Sequence, residues 1–172
     1  MKNIITIAGG ASTYTPGIVK TILDNQNELN VSELRLYDIE LEKVLDMKAI
    51  ISQMVKQENL QDTITVTAGD NAQQLFTGTD FIFSQIRVGG LKMRELDEKI
   101  PLKHGLVGQE TCGLGGFAYG LRSMKGFLEM VDLIQQYAPE AWSLNYTNPE
   151  TIISESVRRQ FPNAKIINAC DM

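Results

Sequence analysis

Apolar positions along the chain switch repeatedly between two periods. Ile4-Ile5-Thr6-Ile7-Ala8 is a short β-branched run that stops on Gly9-Gly10, as a buried strand ended by a tight turn does. From Pro16 to Asn25, Ile18, Ile22 and Leu23 recur at helical spacing behind a proline near the start, where its missing N–H costs nothing. Glu33 to Tyr37 reads as a second strand ending on Asp38. Leu41 to Lys56 reads as a helix, with Val44, Leu45, Met47, Ile51, Met54 and Val55 on its apolar stripe. Thr63 to Thr67 alternates as a strand, Asp70 to Phe76 is a short helix, and Phe81 to Ser84 is the next strand. From Arg87 to Gly120 glycines and charges are dense, and the pattern predicts a long functional excursion. Tyr119 to Tyr137 is a helix closed by Pro139, Ala141 to Asn145 a strand, Glu150 to Gln160 a helix, and Lys165 to Ala169 a final, buried-looking strand.

Six strands alternating with helices predict a parallel sheet with right-handed crossovers. With a glycine turn after the first strand, the expected fold is α/β: a Rossmann-like, doubly wound, mostly parallel sheet with helices on both faces. A flavodoxin-like sheet is the alternative. The 172 residues suffice for one domain over 1–172. The chain stops just after a strand, at the edge where ligands bind such sheets and a substrate domain would normally continue. The expectation is therefore the cofactor domain of a longer enzyme, probed by its activity alone and when completed.

Composition narrows the partners. A formal charge of -5, with Lys and Arg scattered, argues against nucleic acid or an anionic membrane. Arg158-Arg159 reads as a solvated helix end. No run reaches the roughly 18 apolar residues of a membrane span. Two distant cysteines, Cys112 and Cys170, give no disulfide framework, so a cytoplasmic setting is expected. The single histidine, His104, has no cysteine at zinc-like spacing, which excludes a closed structural zinc site.

The first turn carries the candidate chemistry. Gly9-Gly10-Ala11-Ser12-Thr13-Tyr14 departs from G-x-G-x-x-G, with Ala11 at the second glycine position and Tyr14 at the third. Its context, strand before and helix after, still aims main-chain N–H groups and a helix N-terminus at one spot, which suits a pyrophosphate. Asp38 ends the second strand, where a carboxylate accepts ribose hydroxyls and favours NAD over NADP. Arg94 is either a bidentate phosphate clamp or part of a charged helix face. Glu110, in Gly108-Gln109-Glu110-Thr111-Cys112-Gly113, is a functional carboxylate or a surface-loop residue. Asn148 either caps the helix behind Pro149 or offers its amide to a sugar hydroxyl. Cys170 beside Asp171 is core filler or a member of a metal or acid–base site.

Together these segments are more specific than any alone. They are joined by Thr15-Pro16-Gly17, Ile86-Arg87-Val88-Gly89-Gly90, Met93-Arg94-Glu95-Leu96-Asp97-Glu98, Ile100-Pro101-Leu102-Lys103, Asn145-Tyr146-Thr147-Asn148-Pro149 and Cys170-Asp171-Met172. In this order the chain resembles glycoside hydrolase family 4, the NAD- and metal-dependent glycosidases, over essentially its whole length. Cys-Asp-Met looks like that family's 6-phospho-α-glucosidase branch. The family stands apart from two-carboxylate glycoside hydrolysis. The resemblance implies hydrolysis of 6-phospho-α-glucosides, such as a phosphorylated disaccharide, by redox-assisted elimination and addition. It implies NAD and a divalent metal, Mn²⁺ by preference, and a homo-oligomer. It also implies Cys170 as metal ligand, Asp171 as general acid, Arg94 and Asn148 on the sugar phosphate and sugar, and Glu110 as a carboxylate acting on a catalytic tyrosine. Gly9, Gly10, Ala11, Ser12, Thr13 and Asp38 fall in the cofactor region. Ala11 stands where the family carries a third consecutive glycine. A histidine ligand and the tyrosine base have no match in this sequence. Two other readings stay open: a lactate- or malate-type dehydrogenase, which would release NADH, and a module that binds nucleotide without chemistry.

Overall fold

The structure, a computed structural model, describes residues 2–170. Among these residues six parallel strands form one sheet: β1 (Asn3–Ala8), β2 (Val31–Tyr37), β3 (Thr65–Gly69), β4 (Phe81–Ser84), β5 (Trp142–Asn145) and β6 (Ile166–Asn168). Their order, β3-β2-β1-β4-β5-β6, is the doubly wound dinucleotide order. The flavodoxin-like alternative requires a different order and is set aside.

Among the described residues seven helices connect the strands: α1 (Thr15–Asp24), α2 (Gln26–Leu29), α3 (Leu41–Gln57), α4 (Ala72–Phe76), α5 (Gly90–Lys103), α6 (Gly113–Tyr137) and α7 (Glu150–Gln160). The sheet separates two apolar clusters. Val19, Ile22 and Leu23 of α1 and Val44, Met47, Ile51 and Val55 of α3 pack with Ile5, Ile7, Leu34 and Leu36. Phe76, Phe127, Val131, Ile134, Ile153 and Val157 pack with Ala8 and Ile82 on the other cluster. Neighbouring β1 positions thus serve opposite clusters, as the two-residue strand period requires.

Several elements differ from the sequence expectation. β3 begins two residues later than the alternation implied, because Thr63 and Ile64 donate back to the Leu60 carbonyl and extend the turn after α3. The excursion from 87 to 120 is largely helical. α5 fills its first half, and α6 starts six residues before Tyr119. The glycines there are packing devices: a Cβ on Gly115 would lie 2.6 Å from the Asp97 carbonyl oxygen, and one on Gly116 2.2 Å from the Thr111 carbonyl carbon. The final strand is a three-residue edge strand with Ile167 half exposed, not a buried one. Asn148 does not cap α7, since Pro149 holds the N-cap place and no side-chain cap bond forms. Among the described residues no helix is long and apolar enough to cross a membrane.

Candidate functional site

The sheet changes direction between β1 and β4, so a crevice opens beyond the carboxyl ends of those strands. Four segments meet there. The β1–α1 turn is held by Gly9 and Gly10, both donating to the Tyr37 carbonyl at 2.9 Å. Gly9 takes φ +85°, and a Cβ there would lie 2.5 Å from the Gln85 carbonyl oxygen; only glycine fits both demands. Gly10 sits against Leu36, whose Cβ would be 2.9 Å from an added Cβ. These two glycines seat the turn on β2 and on the chain after β4. That segment is tied in twice more: Gln85 donates to the buried Thr15 hydroxyl at 3.0 Å, and the Ile86 N–H donates to the Thr147 hydroxyl at 3.1 Å.

Asp38 does something the sequence did not reveal. One carboxylate oxygen accepts from the Ala11 N–H at 3.0 Å and the other from the Glu40 N–H at 3.1 Å. It therefore shapes the turn, while each oxygen keeps a lone pair for a ribose hydroxyl. The turn spends most of its other donors internally: Ser12 N–H on the Gly9 carbonyl, Tyr14 N–H on the Ser12 hydroxyl, Thr15 N–H on the Ser12 carbonyl. Thr13 is exposed, and its N–H has no acceptor among the described residues. The turn suits a dinucleotide, whose pyrophosphate would face the Thr13 N–H ahead of α1. The cradle is narrower than a run of open amides.

Beyond β4 lies a charged cluster. Arg87 Nη2 and Arg94 Nη1 bind the two oxygens of Glu110 at 2.6 and 2.8 Å. Arg94 Nε also reaches Glu98 at 2.8 Å. Glu110, readable as a surface-loop residue, thus bridges two guanidiniums. The close fit of Gly108 against Glu98, where a Cβ would lie 2.2 Å from its carbonyl oxygen, brings this loop onto α5. Behind it the buried Asp97 holds Arg122, which donates through Nε to the Val88 carbonyl at 3.0 Å. The Arg87 and Arg122 guanidiniums both lie over the Tyr119 ring, 5.2 and 5.5 Å from its centre, within cation–π range. Burial pushes the Tyr119 phenol up, and Glu110 adds to that against the pull of Arg87. Arg87, Asp97, Tyr119 and Arg122 were missed as a cluster. The signal was the glycine run in α6, which permits the approach.

Asn148 is half-buried, and its side chain makes no hydrogen bond among the described residues, so its amide is open to a ligand. Cys170 is exposed just past β6, and neither cysteine forms a disulfide. Asp171 lies outside the described residues. Among the described residues no group of three or more His, Cys, Asp or Glu side chains could hold a metal ion. One sulfur ligand is also a poor match for Mn²⁺, which prefers oxygen ligands, so the described residues alone do not make the metal site.

Fold and crevice define a Rossmann-type α/β domain with a guanidinium–carboxylate cluster beside its switch point. The chain belongs to the Family 4 glycosyl hydrolases, whose family model matches residues 4–172. It is 49% identical over 168 residues to the maltose-6′-phosphate glucosidase of Bacillus subtilis (strain 168), covering 98% of this chain and 37% of that protein. It superposes with a TM-score of 0.95 and 41% identity on a 6-phospho-α-glucosidase from gut microorganisms in complex with NAD and Mn²⁺, covering 99% of this chain and 39% of that one. A second such structure, with NAD and glucose-6-phosphate, gives a TM-score of 0.94 and 43% identity over 99% of this chain and 38% of that one. The chain spans about two fifths of the length of the relatives it matches.

Proposed function

We propose that the chain binds NAD⁺ through Gly9, Gly10, Ala11, Ser12, Thr13 and Asp38, and forms the cofactor domain, 1–172, of an enzyme that hydrolyses 6-phospho-α-glucosides. The observation that carries this reading is the unspent Thr13 amide just ahead of α1, at the switch point of a chain so similar to 6-phospho-α-glucosidases. Bound NAD⁺ supplies a hydride acceptor for a sugar carbinol and returns the hydride within the same turnover, which separates this enzyme from a dehydrogenase that releases NADH.

The chain's own residues bind and orient. Arg94 is part-exposed and takes the sugar phosphate through Nη2, the nitrogen not engaged by Glu98 or Glu110. Glu110 holds Arg94 and Arg87 in register for it. The open amide of Asn148 receives a sugar hydroxyl. Asp171 donates the proton to the leaving oxygen. Cys170 contributes one ligand to a divalent metal, Mn²⁺ by preference; the described residues supply no further set, so no step is assigned to the ion. A cytoplasmic setting agrees with cysteines outside any disulfide and with phosphorylated sugars, which do not cross membranes unaided. The full enzyme is a homo-oligomer in this reading, and the exposed Leu114, Phe117 and Leu121 on α6 leave an apolar face for a second copy or for the rest of the enzyme to cover.

The test exchanges this chain for the matching segment of the Bacillus subtilis relative. The chimera should release 4-nitrophenol from its 6-phospho-α-glucoside only with NAD⁺ and Mn²⁺ present, and this chain alone should not. Action confined to β-linked or unphosphorylated sugars would overturn the substrate assignment, and turnover by this chain alone would overturn the reading of an incomplete site.

A further inference from the structure

The last lateral row of the sheet at its carboxyl edge runs Gly69, Tyr37, Ala8, Ser84, Asn145, Asn168. Left of the switch point its side chains do not hydrogen-bond across the row. Right of it they form a ladder. The Ser84 hydroxyl donates to Asn145 Oδ1 at 3.0 Å, and Asn145 Nδ2 donates to Asn168 Oδ1 at 2.8 Å. Asn145 Oδ1 also accepts the Thr147 N–H at 2.9 Å, and the Asn145 main-chain carbonyl accepts the Ala169 N–H at 2.9 Å. Asn145 is fully buried. The Thr147 hydroxyl in turn accepts the Ile86 N–H.

A buried amide with its carbonyl and an N–H engaged at strand ends fixes a single arrangement, because an orphaned partner there is costly. Besides this side chain, the loop after β5 is held by the Tyr146 N–H donating to the Ser84 carbonyl and by the Ile86 N–H donating to the Thr147 hydroxyl, but neither bond reaches the last strand. β6 is an edge strand with three paired positions, and residues 146–148 form the loop before α7. We infer that Asn145 is a positioning residue that locks the loop carrying Asn148 to the strand end carrying Cys170, through Thr147 on one side and Asn168 on the other. The importance of the two carried residues rests on the function proposed above; the coupling between them does not. Cofactor and substrate contacts on either segment would then be set by one side chain that touches neither.

The experiment is amide hydrogen exchange and ¹⁵N spectra of the chain without cofactor, for wild type, Asn168→Ala and Asn168→Asp. Its outcome is therefore independent of whether NAD⁺ binds. Asn168→Ala removes the acceptor of Asn145 Nδ2 at a half-buried position on the edge strand. Exchange should quicken by about tenfold at Ala169 and also at Thr147, which does not touch residue 168. The Asn148 and Cys170 amide signals should shift together. Asn168→Asp keeps the acceptor and should hold both rates within about twofold of wild type. Quickening confined to residues 166–169, an unchanged Thr147 amide, or failure of Asn168→Asp to restore it would overturn the coupling.

Discussion

Asp97→Ala isolates the support behind the charged cluster. Asp97 is 5% exposed. Both its oxygens are held by Arg122, through Nη1 at 3.2 Å and through a shorter bond from Nη2. Arg122 then anchors the Val88 carbonyl and stacks on Tyr119, itself 2% exposed. Removing one partner of a buried pair leaves the other charged and unpaired, at about 3–5 kcal/mol. The Arg122 side chain keeps 21% of its exposure, so water reaches part of the stranded guanidinium and the lower end, about 3 kcal/mol, is expected. Urea unfolding measures this as a lowered midpoint at unchanged slope. Replacing both residues, Asp97→Ala with Arg122→Met, removes the stranded charge and should recover at least about 1 kcal/mol. A loss under about 1 kcal/mol for Asp97→Ala, or a double variant less stable than the single, would refute the reasoning.

Further outcomes follow from the same geometry. Gly10→Ala drives a Cβ to 2.9 Å from the Leu36 Cβ and 3.0 Å from its Cα, and should cost about 1–3 kcal/mol in urea unfolding. Gly120→Ala meets the movable tip of Ile152 instead and should cost less than Gly10→Ala. Burial raises the Tyr119 and Tyr37 phenols, with Asp38 and Asp70 adding at Tyr37. The folded chain therefore holds their protons more tightly than the unfolded chain. Their contribution is full below pH ~10 and is lost as pH rises through the higher folded values, which urea midpoints measured across pH 8–12 (roughly the tyrosine range) will report as a decline at the alkaline end. Asp38→Ala removes the acceptor of the Ala11 and Glu40 amides and should weaken NAD⁺ binding by about tenfold or more in calorimetry.

The fold was legible because its strands are short β-branched runs and its helices carry clear stripes. Phe81–Ser84 and Glu150–Gln160 emerge with the expected bounds. The stretch from 87 to 120 was harder. Glycine density signals a loop when read locally, but Gly115 and Gly116 are needed where α6 crosses α5 and the 109–111 segment, a demand set by tertiary packing. Asp38 was placed correctly at the end of β2, yet its bonds to Ala11 and Glu40 depend on a turn geometry that no pattern encodes. Arg94 and Glu110 were named separately. Their pairing, and Arg87 with them, joins residues up to 23 positions apart and appears only once the glycine contacts close the α5–α6 loop.

The most direct measurement is a crystal structure of this chain with NAD⁺. The account predicts the pyrophosphate within hydrogen-bonding reach of the Thr13 N–H at the start of α1, with a ribose hydroxyl on Asp38. A dinucleotide lodged elsewhere, or a turn closed by its own side chains with no cofactor bound, would contradict it.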